Sequence, residues 1–151
     1  MSQKLADLLD GLSLFESFSY AEIVALSGYM SFTSLAKGAV IYHEGETASD
    51  LMVLISGRIL VSKSGDSGPH LLAYEGPGRV IGEMALLDHE ARSATCIADT
   101  DCDLAVLNQA SLSRMVKEMP ALAYHLMFSI AKLLSRRLRR TSGLLANFMA
   151  D

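Results

Sequence analysis

The sequence predicts an α+β chain in which helices at both ends flank a β-rich centre. Three observations predict it. Apolar residues stand at helical spacing near the N-terminus. Between Gly38 and Leu107 the period changes to short β-rich runs broken by glycine turns. After Asn108 the helical spacing returns and continues almost to the end. Half of the 151 residues are hydrophobic, which fits one compact domain with a substantial core.

The N-terminal section, residues 1–36, reads as helices. Leu5, Leu8, Leu9 and Leu12 mark a short amphipathic segment. Ser19-Tyr20-Ala21-Glu22 has the spacing of a capping box and opens a helix through Leu26, with Phe15 and Phe18 packed beneath it. The central section, residues 37–107, carries the runs Val40–Tyr42, Leu51–Ile55, Ile59–Ser62, Leu71–Tyr74, Val80–Ile81, Ala94–Ile97 and Leu104–Leu107. Gly38, Gly45, Gly57, the stretch 65–69 and Gly76-Pro77-Gly78 punctuate them. Short strands at this spacing argue a sandwich or barrel-like unit.

The last section, residues 108–151, is helical. Asn108 is an N-cap for a helix that Pro120 stops near Met119. Pro120 suits the first turn of a second helix. That helix runs for about twenty-eight residues from Ala121, roughly 40 Å, too long to stand alone in water. Met127, Ile130, Leu134, Leu138, Thr141, Leu145 and Phe148 step by threes and fours, as in a coiled-coil seam. Leu122, Leu126 and Leu133 form a second stripe. Two stripes predict two partners: the β unit, and the same helix of a second subunit in a homodimer. The alternative is that one monomer buries both. Arg136, Arg137, Arg139 and Arg140 read as a solvated helix face, with nucleic-acid contact as the alternative.

Composition excludes several classes. The net charge of −4 gives no general pull toward nucleic acid. No apolar run reaches membrane-spanning length, and Asp7 and Asp10 interrupt any signal-peptide pattern at the N-terminus. With no export signal, Cys96 and Cys102 are expected as reduced thiols in a cytoplasmic protein. The four histidines, His43, His70, His89 and His125, are scattered and contain no His-x-His pair, so no metal site is expected. No Gly-x-Ser-x-Gly elbow occurs and neither cysteine has a histidine nearby in sequence, so an enzyme is not expected. Two cysteines are too few to ligate an iron–sulfur cluster. A haem needs only one axial ligand, but nothing in the sequence supports one.

The stretch 82–95, Gly-Glu-Met-Ala-Leu-Leu-Asp-His-Glu-Ala-Arg-Ser-Ala-Thr, carries the most chemistry. Glu83 is an acceptor suited to a hydroxyl. Arg92 offers a planar fork of donors suited to a compact anion. Met84 to Leu87 suit a short helical turn whose first N–H groups face such an anion. Gly82 permits close backbone approach. An ordinary surface ion pair is the alternative.

This stretch closely resembles the phosphate-binding cassette of the cyclic-nucleotide-binding domain family, which includes the bacterial catabolite activator protein and the regulatory subunits of protein kinase A. Lys37-Gly38, Glu44-Gly45-Glu46, Ile55-Ser56-Gly57 and Gly76-Pro77-Gly78 match that family's glycine framework in order and with similar spacing. The resemblance implies an antiparallel double-stranded β-helix, or β-roll, over 37–107. It implies Glu83 for the ribose 2′-hydroxyl and Arg92 with Ser93 for the phosphate, with backbone amides of Gly82, Met84, Ala85 and Ala94 nearby. Leu72 and Ala73 match positions along the purine and ribose side, and Val61 falls on an inward-facing strand nearby; core packing is the alternative for each. Thr141 and Ser142 match a purine-contacting Thr-Ser pair on the dimer helix of the catabolite activator protein. The segment between cassette and pair is about one turn longer here, and Gly143 weakens helix beside it.

The implied ligand is cAMP, because Ser93 stands where a Thr often accompanies cGMP preference. cGMP is the alternative. Within the resemblance the chain is expected to be a stand-alone sensor that signals to an unknown protein through its C-terminal helix and does not itself read DNA. The alternatives are the sensor half of a Crp/Fnr-type transcription regulator lacking its DNA-binding domain, and an interaction scaffold without a ligand.

Overall fold

The computed structural model describes residues 2–47, 50–65, 68–83 and 90–150. The chain opens with α1 (Ser2–Leu9), a 3-10 turn (Ser13–Phe15) and α2 (Tyr20–Ser27). Ser19 caps α2 as its spacing predicts: its hydroxyl accepts from the Glu22 amide, and Glu22 accepts in return from the Ser19 amide. Eight strands follow: β1 (Ser31–Leu35), β2 (Val40–Tyr42), β3 (Leu51–Ser56), β4 (Ile59–Gly65), β5 (Gly68–Glu75), β6 (Val80–Ile81), β7 (Thr95–Ala98) and β8 (Cys102–Leu107). Two helices close the chain, α3 (Gln109–Glu118) and the 31-residue α4 (Pro120–Ala150). The Asn108 side chain accepts from the Ser111 amide and caps α3.

The strands make two antiparallel sheets, ordered β1-β8-β3-β6 and β2-β7-β4-β5. This is the β-roll implied by the glycine framework. Met52, Leu54, Ile59, Ile81, Cys96, Ala98, Cys102 and Leu104 fill the space between the sheets. Leu51, Val53, Ala105 and Leu107 point the other way, into a core shared with all four helices. The first sheet is thus covered on both faces, which explains why β3 is a continuous apolar run rather than an alternating one. Gly57 turns β3 into β4 with φ of 99°. A Cβ there would collide with the Asp101 carbonyl and the Cys102 sulfur, so the corner admits only glycine.

Two expectations need correction. Residues 31–35, placed within the helical N-terminal section, form an edge strand paired with β8. Ser31, Phe32 and Ser34 are exposed, so the strand lacks the apolar alternation that would betray it. The two stripes of α4 also do not divide between two partners as expected. Ile130 is buried with Leu122 and Leu126, and Met127, Leu133 and Leu134 pack partly against the same core. The β unit alone is too small to cover both stripes, but the N-terminal helices complete the cover. The His125 ring stacks on Phe18 at 3.8 Å and bonds Glu22 and Ser17 at 2.8 and 2.9 Å, pinning that cover to α4. Farther along α4, Leu138, Thr141, Leu144 and Leu145 are exposed. The Phe148 side chain lies outside the described residues.

Candidate functional site

Two backbone features build the site. The β2–β3 turn grips the Arg92 backbone: the Gly45 amide donates to the Arg92 carbonyl and the Arg92 amide to the Glu46 carbonyl, both at 2.9 Å. Lys63 of β4 donates from Nζ to the Ser93 carbonyl at 2.8 Å. The limb carrying Arg92 and Ser93 is therefore held from two sides. On the facing wall Gly82 has φ of 80°, and a Cβ there would lie 2.5 Å from Arg92 Nη1 and 2.6 Å from the Asp50 carbonyl oxygen. Only glycine lets Arg92 reach across.

Between these walls lies a cavity of about 370 Å³, within the range of small-molecule sites. Gly82, Glu83, Arg92, Ser93, Ala94, Leu72 and Val61 line it. β4 and β5 slip register between Val61 and Ser62, so Leu72 is the extra residue of a bulge. Ala73 pairs with Val61 in β5 but is not among the lining residues; the bulge gives the lining position to Leu72, and the single methyl of Ala73 does not reach it. Thr141 and Ser142 are exposed on α4, and neither lines the cavity. Met84 and Ala85, with the expected helical turn, lie outside the described residues. An apolar groove of about 410 Å³ near Leu5, Leu8 and Phe32 has, among the described residues, Lys4 as its only ionisable liner, so the chemistry concentrates in the first cavity.

The charges decide what this cavity can hold. Glu83 and Arg92 are 7% and 4% exposed. Glu83 is paired: Arg137 of α4 reaches in and donates from Nη1 to Glu83 Oε1 at 2.8 Å, and from Nη2 to the Val80 carbonyl at 3.3 Å. Arg79 pairs with Glu75 at 3.0 Å, and burial, then the nearby Arg137, lowers its pKa. Among the described residues Arg92 has no ion pair. Its Nη1 makes one long bond, 3.4 Å, to the Gly82 carbonyl. Its Nε is buried without a partner. A buried guanidinium in this state presents unspent donors to the cavity, a preformed demand for an anion. Tyr42 lies beneath Arg92 with the guanidinium 4.3 Å from its ring centroid. Burial pushes the phenol and the neighbouring Cys96 thiol up in pKa, so both are neutral at physiological pH.

Sequence reasoning missed Tyr42, Lys63, Glu75, Arg79 and Arg137. The Arg137 error is instructive. Arg136, Arg139 and Arg140 are exposed, as a solvated face requires, but Arg137 is turned into the site. It extends the core-facing series Leu122, Leu126, Ile130 and the partly buried Leu133 by one further step of four, and that spacing was the available signal.

A family model described as cyclic nucleotide-binding domain matches residues 32–119. The Cyclic AMP receptor protein of Thermus thermophilus is 30% identical over 132 residues, covering 87% of this chain and 59% of that protein. This chain thus spans less than two thirds of that relative. Among solved structures, a cyclic nucleotide-binding domain from Methylobacillus flagellatus superposes with a TM-score of 0.83 at 27% identity, over 96% of this chain and 82% of that one. The N-terminal domain of a transcriptional regulator from Streptomyces coelicolor gives 0.75 at 31% identity, over 92% and 95%. The matched model spans both sheets and reaches through the limb that carries Arg92 and Ser93. On these grounds the chain belongs to the cyclic nucleotide-binding domain family.

Proposed function

We propose that this chain is a sensor domain that binds cAMP, with cGMP the second choice, and signals through α4. One observation carries the reading: a buried guanidinium, Arg92, without an ion pair among the described residues, facing a cavity beside the Glu83 carboxylate. A cyclic phosphodiester supplies one negative charge for Arg92. Ser93 and the amides of Gly82, Met84, Ala85 and Ala94 complete its shell, and Glu83 accepts from the ribose 2′-hydroxyl. The purine lies toward Leu72 and Val61. Arg137 spans from α4 to Glu83, so a ligand that engages Glu83 acts on the residue that ties α4 to the site. The ligand biases α4 only by its difference in affinity for two helix positions.

The dimer is part of this proposal, on a different stripe from that expected. Tyr124, Phe128, Leu138 and Leu145 are exposed along α4, and Ala131, Ser135 and Ser142, also exposed, fill the intervening steps of three and four. A second copy packed here covers the stripe and carries Ser142, with Thr141 beside it, toward the neighbouring cavity. A monodisperse monomer in light scattering at high micromolar concentration refutes it. Two free buried cysteines support a reducing, cytoplasmic setting. The downstream partner is a protein surface that α4 alters. The similarity to transcriptional regulators supports a second reading, the sensor half of a Crp/Fnr-type regulator whose DNA contacts are made outside this domain.

The test is calorimetric titration of cAMP and cGMP into nucleotide-free protein, with 5′-AMP as control. Micromolar or tighter binding of one cyclic nucleotide, with weak 5′-AMP, is expected. No binding of either refutes the sensor reading and leaves a ligand-free scaffold.

A further inference from the structure

We propose that Tyr42 is a positioning residue for Arg92, so that the affinity of the cavity for an anionic ligand depends on an aromatic ring acting through the guanidinium. The inference rests on Arg92 as the phosphate-holding group. Among the described residues Arg92 Nε has no partner and Nη1 has only its 3.4 Å bond to the Gly82 carbonyl. Hydrogen bonds therefore do little to fix the plane of the fork. The Tyr42 ring does: its centroid is 4.3 Å from Arg92 Cζ, inside cation–π range, and a buried contact is the strong kind.

The ring is itself held. Tyr42 ends β2 opposite Cys96 of β7, where pairing with β7 fixes its backbone and Cys96 is buried in the layer between the sheets. Ring and guanidinium stack at the edge of the cavity, which both line. One face of the guanidinium is closed by the ring, so an anion meets the fork edge-on, where its N–H groups point. The ring also gives the buried cation a favourable surface while no anion is present, so Arg92 stays in place in the empty site. A side chain of similar bulk without a π face leaves the cation to tilt or withdraw, and the cost falls on the charged part of the ligand alone.

The experiment compares Tyr42→Phe, Tyr42→Leu and Tyr42→Met with the parent, using cAMP and uncharged adenosine as probes in competition against a fluorescent cyclic nucleotide. Thermal melting confirms folding of each. Tyr42→Phe keeps the π face and is expected within about threefold of the parent for cAMP. The two aliphatic variants are expected to bind cAMP about ten- to thirtyfold more weakly, with adenosine changed less than about twofold. The second aliphatic variant carries the comparison if the first does not fold. Equal losses for cAMP and adenosine mean that Tyr42 is only a wall of the pocket, and overturn the inference. So does an unchanged cAMP affinity in a folded aliphatic variant. A parent that binds no cyclic nucleotide refutes the phosphate reading itself, and the inference with it.

Discussion

Among the described residues Arg137 is the only α4 side chain that lines the cavity, and its removal has a magnitude that follows from geometry. Arg137 Nη1 lies 2.8 Å from Glu83 Oε1, with side chains 22% and 10% exposed. Removing one partner of a fully buried pair costs about 3–5 kcal/mol, and of a surface pair less than about 1. This pair is nearer the buried limit. Loss of Arg137 also relieves Arg79 of a neighbouring cation, which offsets part of the cost. Arg137→Met keeps the apolar stem and should therefore destabilise by about 2–3 kcal/mol, a fall in Tm of about 4–12 °C for a chain of this size. The cost resides in the stranded Glu83 carboxylate. Adding Glu83→Gln to Arg137→Met should recover most of the loss and leave the double variant within about 1 kcal/mol of the parent. The assay is urea denaturation of the four members of the cycle, with nucleotide-free protein throughout. A loss below about 0.5 kcal/mol for Arg137→Met, or strictly additive effects, would show that water already solvates Glu83 and that the pair does not tie α4 to the site.

Three further outcomes follow from the same geometry. Arg92→Ala should weaken cAMP binding by about 2–5 kcal/mol, the usual result of truncating a buried charge partner, and a calorimetric loss under threefold refutes the assignment of the phosphate to Arg92. Gly82→Ala should destabilise by at least about 1–3 kcal/mol, the cost of a left-handed alanine, and should also weaken binding sharply because the methyl would lie 2.5 Å from Arg92 Nη1 and displace it; a variant that binds normally contradicts the close approach. The Ser19 amide, then His125, holds the Glu22 carboxyl below its ordinary value of 4.5. A lowered folded-state value contributes stability above 4.5 that is lost as pH falls through that value and below it. The stability difference between parent and Glu22→Gln in denaturation from pH 7 to pH 3 should therefore shrink in the acid range, and a difference independent of pH refutes the linkage.

The division between sequence and tertiary structure is sharp at particular residues. Ser19, Glu22 and Asn108 act on amides three positions away, so their caps were legible in the sequence. The glycine corners were legible because the need for a left-handed backbone is local, and the resemblance they share with the cassette carried the β-roll. Gly82, Glu83, Arg92 and Ser93 were legible because they lie close together in sequence. What lay beyond reach depended on distant packing. β1 is a strand because β8 pairs with it, not because its own residues demand it. Met127, Ile130 and Leu134 are covered because helices more than a hundred residues earlier fold over them. Tyr42 and Arg137 enter the site from strands and helices far apart in sequence, and they decide how the two buried charges are held. A local pattern specifies an element and a motif's chemistry. Which charge meets which is set by long-range contacts, because an ion pair or a ring stack depends on separation in space, and the chain's own order does not encode that separation.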